Sequence, residues 1–333
     1  MTSMRLQSSR MQSPLESEAL RHRLFRSVYR IRRVEEQIAA VYPMDKVQSP
    51  VHLSIGQEAI SVGICDALRS DDIAFGTYRG HALYLAKGGN LNAMIAELYG
   101  KSTGCAGGKA GSMHLIDAAA GMMGCSAIVG STLPVAVGYA LAIRMRGESR
   151  IVVSFIGDGA MEEGVFHESL NVAALRKLPM LFICENNGYA IHSPLQARQS
   201  AKNLCDYARN FGMRAGTIES MDTLAIRQAA LDAAESLRAG GMPVFLECRC
   251  CRWREHVGIG EDFGAGYRSQ AEAASWMAMD EVHQMGAALD PVTRLAIEQD
   301  VEREIAAAFA FAEASPFPAN SALLADVYAA GEI

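Results

Sequence analysis

Long hydrophobic runs, an excess of basic residues and paired metal-binding cysteines are all missing from this sequence of 333 residues. No stretch approaches the roughly 18 to 20 consecutive apolar residues that a membrane-spanning helix needs, so we expect no membrane association. The formal net charge of −6 provides no basic face for phosphates, which argues against nucleic acid as a partner. The composition is that of an ordinary globular protein.

The N-terminal tail, residues 1–15, lacks the apolar core of a secretory signal. Because it is basic and contains serine, it is compatible with an organelle transit peptide, but a short disordered bacterial tail fits better. The eight cysteines lie mostly among apolar or glycine-rich neighbours, which suits buried thiols in a reducing cytosol. We therefore expect a cytoplasmic protein rather than one of the mitochondrial matrix. Cys248, Cys250 and Cys251 form a cluster without a second Cys/His pair at zinc-site spacing, so we expect no zinc there.

Two nucleotide-binding motifs are also missing. Residues 100–111 contain five glycines, but the spacing G-x-x-x-x-G-K-[ST] of a P-loop does not occur there. This segment instead indicates a backbone that must bend or approach another group closely. No G-x-G-x-x-G follows a predicted strand with an acidic residue about 20 positions later, so an NAD-binding Rossmann domain fits poorly.

The centre of the chain predicts a parallel β-sheet. Residues 151–156 and 180–184 are continuous apolar runs typical of strands buried on both faces, and residues 163–176 between them have a helical pattern. Residues 244–247 predict a later strand of the same sheet. Helical patterns over 16–41 and 291–314 add extensions at both ends. The sequence therefore predicts one α/β domain, residues 16–333, with helices on both faces of a parallel sheet.

Polar residues end both central strands. Asp158 follows the first and Asn187 follows the second, 29 positions later. Because ligands bind outside the carboxyl ends of parallel strands, we expect the two side chains to converge. Their oxygen atoms suit Mg²⁺, which commonly bridges to a diphosphate. Gly157 and Gly159 would let the backbone approach the phosphates, and the N-terminus of the next helix would offer N–H groups.

This pattern resembles the thiamine-diphosphate motif, in which GDG is followed by NN. Similarity to the α subunits of pyruvate, branched-chain 2-oxo acid and acetoin dehydrogenases runs from about residue 24 to residue 328. The other segments that carry the resemblance are His-Leu-Ser-Ile-Gly-Gln-Glu at 52–58, Thr-Tyr-Arg-Gly-His at 77–81, Gly-Gly-Lys-Ala-Gly-Ser-Met-His at 107–114, Ile-Val-Gly at 128–130 and Ser-Pro-Phe-Pro at 315–318. The resemblance implies a thiamine-diphosphate-binding fold.

The resemblance also implies roles for individual residues. Asp158 and Asn187 would bind Mg²⁺ through their side chains, and Tyr189 through its backbone carbonyl. The remaining cofactor contacts would come from Tyr78 and Arg79 at the diphosphate, the N–H groups of Gly159 and Ala160 at the same phosphates, and the backbone of Val129 at the aminopyrimidine. Glu162, Glu163 and Glu168 are expected on the solvated or partner-facing side of the following helix.

Two histidines are candidate catalytic residues by the same resemblance. His52 matches a histidine near the substrate carboxylate, and His256 matches an active-site histidine on a loop that closes over the cofactor. His256 is expected to be a proton donor near neutral pH. The loop departs from the usual aromatic-His-Gly-His-Ser pattern, because Arg254 and Glu255 precede the histidine and Val257 follows it. These two residues would change the charge at the mouth of the site, so the identity of the substrate stays open.

Thiamine chemistry also needs a glutamate beside the aminopyrimidine, and in the enzymes that this chain resembles a separate β subunit supplies it. The chain has no second α/β domain to hold that glutamate, so we expect a β subunit in an α₂β₂ assembly. The expected reaction is decarboxylation of a 2-oxo acid such as pyruvate, or cleavage of acetoin, with acyl transfer to a lipoyl-bearing E2 protein. Two alternatives stay open: a thiamine-diphosphate-dependent carboligase or acyloin enzyme of a biosynthetic pathway, and a catalytically silent scaffold or regulatory subunit. A requirement for lipoyl-E2 would distinguish the dehydrogenase from the first alternative. Failure to bind the cofactor would indicate the second.

Overall fold

The structure, a computed structural model, describes residues 14–201 and 203–325. Most of the predicted tail, residues 1–13, lies outside the described residues, and so does the end of the family similarity at residue 328. The first helix already begins at Pro14, inside the range predicted for the tail. In the described part of the chain, no helix has both the length and the apolar character needed to cross a membrane.

Helices and strands alternate through the middle of the chain, as the sequence predicts. The helices are α1 Pro14–Val41, α2 Glu58–Asp66, α3 His81–Ala86, α4 Leu91–Leu98, α5 Thr132–Met145, α6 Gly164–Leu175, α7 Leu195–Arg198, α8 Cys205–Arg209, α9 Thr223–Arg238, α10 Gln270–Met277, α11 Glu281–Ala287 and α12 Pro291–Ala314. The strands are β1 Ile73–Phe75, β2 Met122–Gly124, β3 Val152–Gly157, β4 Met180–Asn186, β5 Tyr189–Ala190, β6 Ser193–Pro194, β7 Arg214–Ile218 and β8 Val244–Arg249.

Six strands form one parallel sheet in the order β2-β1-β3-β4-β8-β7, and β5 and β6 form a small antiparallel hairpin. β3 and β4 pair directly from Val152–Met180 to Gly157–Glu185, so both strands end at the same edge. The order reverses between β1 and β3, because β2 lies on one side of β1 and all later strands lie on the other. The predicted α/β fold with a parallel sheet is confirmed.

The sheet is buried on both faces. Met180, Phe182 and Cys184 of β4 pack in a cluster with α5, α6 and α8, whereas Leu181 and Ile183 pack in a second cluster with α1, α2, α4, α9 and α12. Successive side chains of a strand point to opposite faces, so an uninterrupted apolar run fills both cores.

The two helical extensions pack against each other. Arg26 and Arg30 of α1 both pair with Glu304 of α12, at 3.1 and 2.6 Å, and Arg33 pairs with Glu302 at 2.6 Å. Asp290 caps α12, because its side chain accepts a hydrogen bond from the Thr293 N–H. The arginine run in α1 therefore binds acidic residues of the same chain.

The glycine-rich segment wraps around a buried carboxylate. Glu97, at the end of α4 and 1% exposed, accepts hydrogen bonds from four backbone N–H groups of that segment. The donors are Ala106 at 2.8 Å, Gly108 at 2.9 Å, Ala110 at 2.7 Å and Gly111 at 3.0 Å. Gly108 has φ +78°, and a Cβ there would lie 2.6 Å from the backbone carbon of residue 100. The predicted close approach is therefore to Glu97.

Candidate active site

A cavity of about 290 Å³ opens at the carboxyl ends of the central strands. Its walls come from the segments that follow β1, β2, β3 and β4, and from the loop after β8. The cavity thus lies where the strand order reverses, which is the usual ligand site of an open α/β sheet.

Ten of the eleven residues selected from the sequence line this cavity. They are Tyr78, Arg79, Val129, Gly157, Asp158, Gly159, Ala160, Asn187, Tyr189 and His256. The eleventh, His52, lies directly behind them, against the rings of Tyr78 and His256. The structure brings the selected residues together, whereas their individual roles remain predictions.

Asp158 is the most buried acidic group of the cavity. It begins a 3₁₀ turn, residues Asp158–Glu162, directly after β3, and it is 1% exposed. Burial raises the pKa of its carboxyl above the ordinary value, although the bound Arg198 side chain acts in the opposite direction. Arg198 Nη2 donates to Asp158 Oδ2 at 2.5 Å. A buried carboxylate of this kind needs a positive partner.

A tight turn after β4 presents Asn187 and Tyr189 to the same cavity. Gly188 adopts φ +82°, and its N–H donates to the Asn186 side chain at 3.0 Å. The Asn187 amide oxygen accepts the Tyr189 N–H at 3.2 Å, and its NH₂ group donates to Gln57 at 3.4 Å. An amide oxygen has two lone pairs, so Asn187 retains acceptor capacity.

Gly159 lies where the small hairpin packs against the turn after β3. A Cβ at this position would lie 2.7 Å from the Cβ of Ala190 in β5. Glycine is therefore required for close packing, which keeps the backbone of the turn accessible from the cavity.

Arg79 connects two segments of the cavity wall. Its guanidinium donates to the Leu53 carbonyl at 2.6 Å and to the His256 carbonyl at 3.1 Å. Burial is the main cause that lowers the pKa of Arg79, which nevertheless stays charged at neutral pH because an arginine starts from 12.5. Its other N–H donors remain for an anion in the cavity.

Three aromatic rings form a cluster at one side of the cavity. The His52 ring centroid lies 4.5 Å from that of Tyr78 and 5.1 Å from that of His256, and Tyr78 and His256 are 5.5 Å apart. Backbone contacts fix the loop that carries His256, because the Gly258 N–H donates to the Val51 carbonyl at 2.8 Å.

Both histidines have a lowered pKa, which favours the neutral ring near pH 7. Burial, followed by the charge of Arg79, lowers the pKa of His52 to about 3 and that of His256 to about 4. The role of His256 as a proton donor near neutral pH stays a prediction. A neutral ring can still donate one hydrogen bond. His52 Nδ1 is buried and has no hydrogen-bond partner in the described structure.

Arg254 and Glu255 form hydrogen bonds within their own loop. Neither lines the cavity as the described residues define it. Arg254 donates to the Ile259 carbonyl at 3.3 Å, and Glu255 accepts the Gly260 N–H at 2.7 Å. Both side chains thus bond to the backbone of their own loop, and their effect on the substrate stays a prediction.

The comparisons with known proteins agree with this geometry. Residues 26–321 match the family model described as "Dehydrogenase E1 component". The chain belongs to the dehydrogenase E1 component family. Members of this family depend in general on thiamine diphosphate. The family predicted from the sequence is thereby confirmed.

Several α subunits are similar to this E1 component over almost their whole length. The chain is 36% identical over 314 residues to the α subunit of acetoin:2,6-dichlorophenolindophenol oxidoreductase from Bacillus subtilis, covering 93% of each chain. Its counterpart from Cupriavidus necator is 37% identical over 322 residues, which is 95% of this chain and 96% of the relative. The pyruvate dehydrogenase E1 component subunit alpha of Zymomonas mobilis is 32% identical over 320 residues, with 91% and 87% coverage.

Sequence reasoning missed several residues of this E1 component's cavity. Gln57, Glu162, Glu163 and Glu185 all line it, and Arg198 reaches Asp158 from α7. Glu162 and Glu163 are exposed as predicted, but they also face the cavity. Glu185 directly precedes the paired asparagines at the end of β4, a position that could have indicated it. Burial raises its pKa to about 7.

Proposed function

We propose that this chain is the α subunit of a heteromeric thiamine-diphosphate-dependent dehydrogenase that acts on acetoin or on a 2-oxo acid such as pyruvate. The observation that carries the proposal is the convergence of ten motif residues on one cavity at the reversal of strand order. The α subunits of acetoin and pyruvate dehydrogenases to which the chain is similar support this substrate class.

The cavity fits Mg²⁺ at the position of Asp158. A buried carboxylate, an amide oxygen from Asn187 and a backbone carbonyl from Tyr189 are all oxygen donors, which Mg²⁺ prefers. The described residues contain no cluster of three or more His, Cys, Asp or Glu side chains that could hold a metal. A site with one carboxylate is suited to a cation that also binds phosphate oxygens, because the phosphates complete its neutralisation.

The same wall fits a diphosphate. Arg79 supplies a buried positive charge, Tyr78 a phenolic donor, and the turn at Gly159 and Ala160 backbone N–H groups. When bound, thiamine diphosphate supplies the electron sink for cleavage next to a carbonyl. The chain's own contribution is to hold the diphosphate end, with the backbone of Val129 against the aminopyrimidine.

His52 and His256 then act as neutral hydrogen-bonding groups beside the reacting carbon. A neutral imidazole can donate to a substrate oxygen or a phosphate without first losing a proton. The low pKa of both rings keeps this state populated across the physiological range. His52, with its unpartnered Nδ1, is the group that we assign to the substrate carboxylate.

The rim of the cavity fits coverage by a partner subunit. Ile128, Val129 and Ile191 line the cavity and are 45 to 71% exposed. Val257, which follows His256, is 44% exposed. Apolar side chains gathered around a polar cavity are typical of an interface. We propose that a β subunit covers this rim in an α₂β₂ assembly and supplies the glutamate for the aminopyrimidine. The acyl group would pass to a lipoyl-bearing E2 protein in the cytoplasm.

The biosynthetic carboligase alternative loses its main argument, because Arg254 and Glu255 lie outside the cavity lining. A silent scaffold would have no need for ten motif residues around one cavity.

The test is to co-express the chain with its cognate β-type subunit, add thiamine diphosphate and Mg²⁺, and follow reduction of 2,6-dichlorophenolindophenol. Acetoin, pyruvate and branched-chain 2-oxo acids are the substrates, and Asp158→Ala is compared with Glu168→Ala, an exposed change on α6. Turnover that only Asp158→Ala abolishes is expected and identifies the substrate. No turnover with any substrate, despite cofactor binding, would contradict the dehydrogenase assignment.

A further inference from the structure

Arg198 binds the carboxylate that we assign to the cation. Its Nη2 atom donates to Asp158 Oδ2 at 2.5 Å, and its Nη1 atom pairs with Glu162. Asp158 and Glu162 are the first and last residues of the turn after β3, so a single guanidinium spans this turn from end to end. The side chains of Arg198 and Asp158 are 10% and 1% exposed, so this ion pair is shielded from solvent, whereas the Glu162 side chain is 34% exposed.

The helix that contains Arg198 is itself held in place by hydrogen bonds. Arg198 ends the four-residue helix α7, and its Nε atom donates to the Ser193 carbonyl at 3.0 Å. The Leu195 N–H at the start of this helix donates to the Gly188 carbonyl at 2.8 Å. Gly188 lies between Asn187 and Tyr189. Arg198 therefore connects the two strand ends that supply the cation ligands.

The geometry divides the Asp158 carboxylate between two tasks. Arg198 holds Oδ2, which leaves Oδ1 for a ligand in the cavity. A carboxylate without a hydrogen-bond partner can rotate about its C–C bond, whereas a charge-assisted hydrogen bond to one oxygen fixes its orientation. Groups that hold a metal ligand in place commonly affect metal affinity about 10- to 100-fold.

We propose that Arg198 is a positioning residue that orients Asp158 so that Oδ1 faces the divalent cation, and that it thereby sets the preference of the site for Mg²⁺. This inference rests on the proposed function, which makes Asp158 a cation ligand. It concerns a residue that no sequence motif indicates, eleven positions after Asn187.

If Arg198 acted only through its charge, its removal would change the cation affinity in the opposite direction. Removal of a positive charge beside Asp158 and Glu162 would strengthen the attraction for any divalent cation. Loss of orientation would instead weaken binding, and it would weaken Mg²⁺ more than Ca²⁺. Mg²⁺ demands near-ideal octahedral geometry, whereas Ca²⁺ accepts flexible coordination. The sign of the change and the ion preference together distinguish the two roles.

The experiment titrates Mg²⁺ and, separately, Ca²⁺ into the complex of the full chain with its β-type subunit, at saturating thiamine diphosphate, by calorimetry. Arg198→Met removes every donor, and Arg198→Lys keeps one charged donor of nearly the same reach. Glu162→Gln removes only the ion pair between Arg198 and residue 162. Thermal unfolding midpoints measured in EDTA without cofactor check that each variant is folded.

We expect Arg198→Met to raise the Kd of Mg²⁺ about tenfold, with a smaller effect on Ca²⁺. Arg198→Lys should lie closer to the wild type, because one charge-assisted bond to Asp158 survives. An unchanged or lower Kd for Mg²⁺ in Arg198→Met would overturn the proposal, and so would equal losses for both ions. A wild-type complex that binds no Mg²⁺ would instead contradict the proposed function itself.

Discussion

Replacement of Glu97 by glutamine should destabilise the protein strongly, although the two side chains have the same shape. The two carboxylate oxygens share four N–H donors: Ala106 and Gly108 at one oxygen, Ala110 and Gly111 at the other. Glutamine has one oxygen and one NH₂ group. Whichever way the amide is turned, one pair of backbone donors faces another donor.

The magnitude follows from that count. Two hydrogen bonds are lost and two donors stay unpaired, at about 1–3 kcal/mol each, and the other two bonds lose their charge assistance. Allowing for incomplete additivity, we expect Glu97→Gln to lower the free energy of unfolding by about 4 kcal/mol. This is a large share of the roughly 5–15 kcal/mol that keeps an ordinary domain folded.

Urea denaturation measures the loss, and hydrogen exchange of the peptide that spans residues 104–112 localises it. The matched control is Glu313→Gln, which changes an exposed carboxylate that pairs with Lys46. The control should shift the unfolding free energy by less than about 0.5 kcal/mol. A loss below about 1 kcal/mol in Glu97→Gln, or unchanged exchange in the segment, would refute the reasoning.

Two further predictions concern the cavity wall. Arg79→Lys should raise the Kd of thiamine diphosphate in the assembled complex about tenfold or more. A lysine cannot hold the Leu53 carbonyl and reach a phosphate together, and one charge-assisted hydrogen bond is worth about 1.5–3 kcal/mol. Unchanged binding by calorimetry would rule out the phosphate role. His52→Phe should make the protein less sensitive to acid: burial lowers the folded-state pKa of His52 to about 3 from 6.5, so its contribution to stability is complete above pH 6.5 and is lost as the pH falls toward 3. Unfolding midpoints at pH 7 and pH 5 should therefore differ less in the variant than in the wild type, and equal differences would contradict this account.

The sequence predicts those parts of the fold and site that depend on local pattern. The buried strands β3 and β4 are apolar runs, so the amino-acid sequence alone locates their ends, and with them Asp158 and Asn187. The helix at Pro291–Ala314 has its predicted bounds, because Asp290 and Pro291 are local signals. The segments at Tyr78 and His256 are identified by family resemblance.

Contacts between distant segments could not be predicted in this way. Arg198 reaches Asp158 only because the β5–β6 hairpin turns the chain back, and no spacing rule indicates that return. The protonation of His256 depends on burial and on the charge of Arg79, both of which arise from tertiary packing. The same holds for Arg254 and Glu255, whose hydrogen-bond partners are a carbonyl and an N–H group of their own loop.

The central claim is that Asp158, Asn187 and Tyr189 hold the divalent cation of the thiamine diphosphate site. Anomalous diffraction from crystals of the αβ complex, grown with thiamine diphosphate and Mn²⁺ in place of Mg²⁺, tests it most directly. We expect a single strong peak in the cavity at roughly 2.0–2.3 Å from the Asp158 carboxylate, the Asn187 amide oxygen and the Tyr189 carbonyl. The same crystals of Asp158→Ala should lack the peak. A cation bound elsewhere, or cofactor density whose diphosphate does not approach Asp158, would contradict the account.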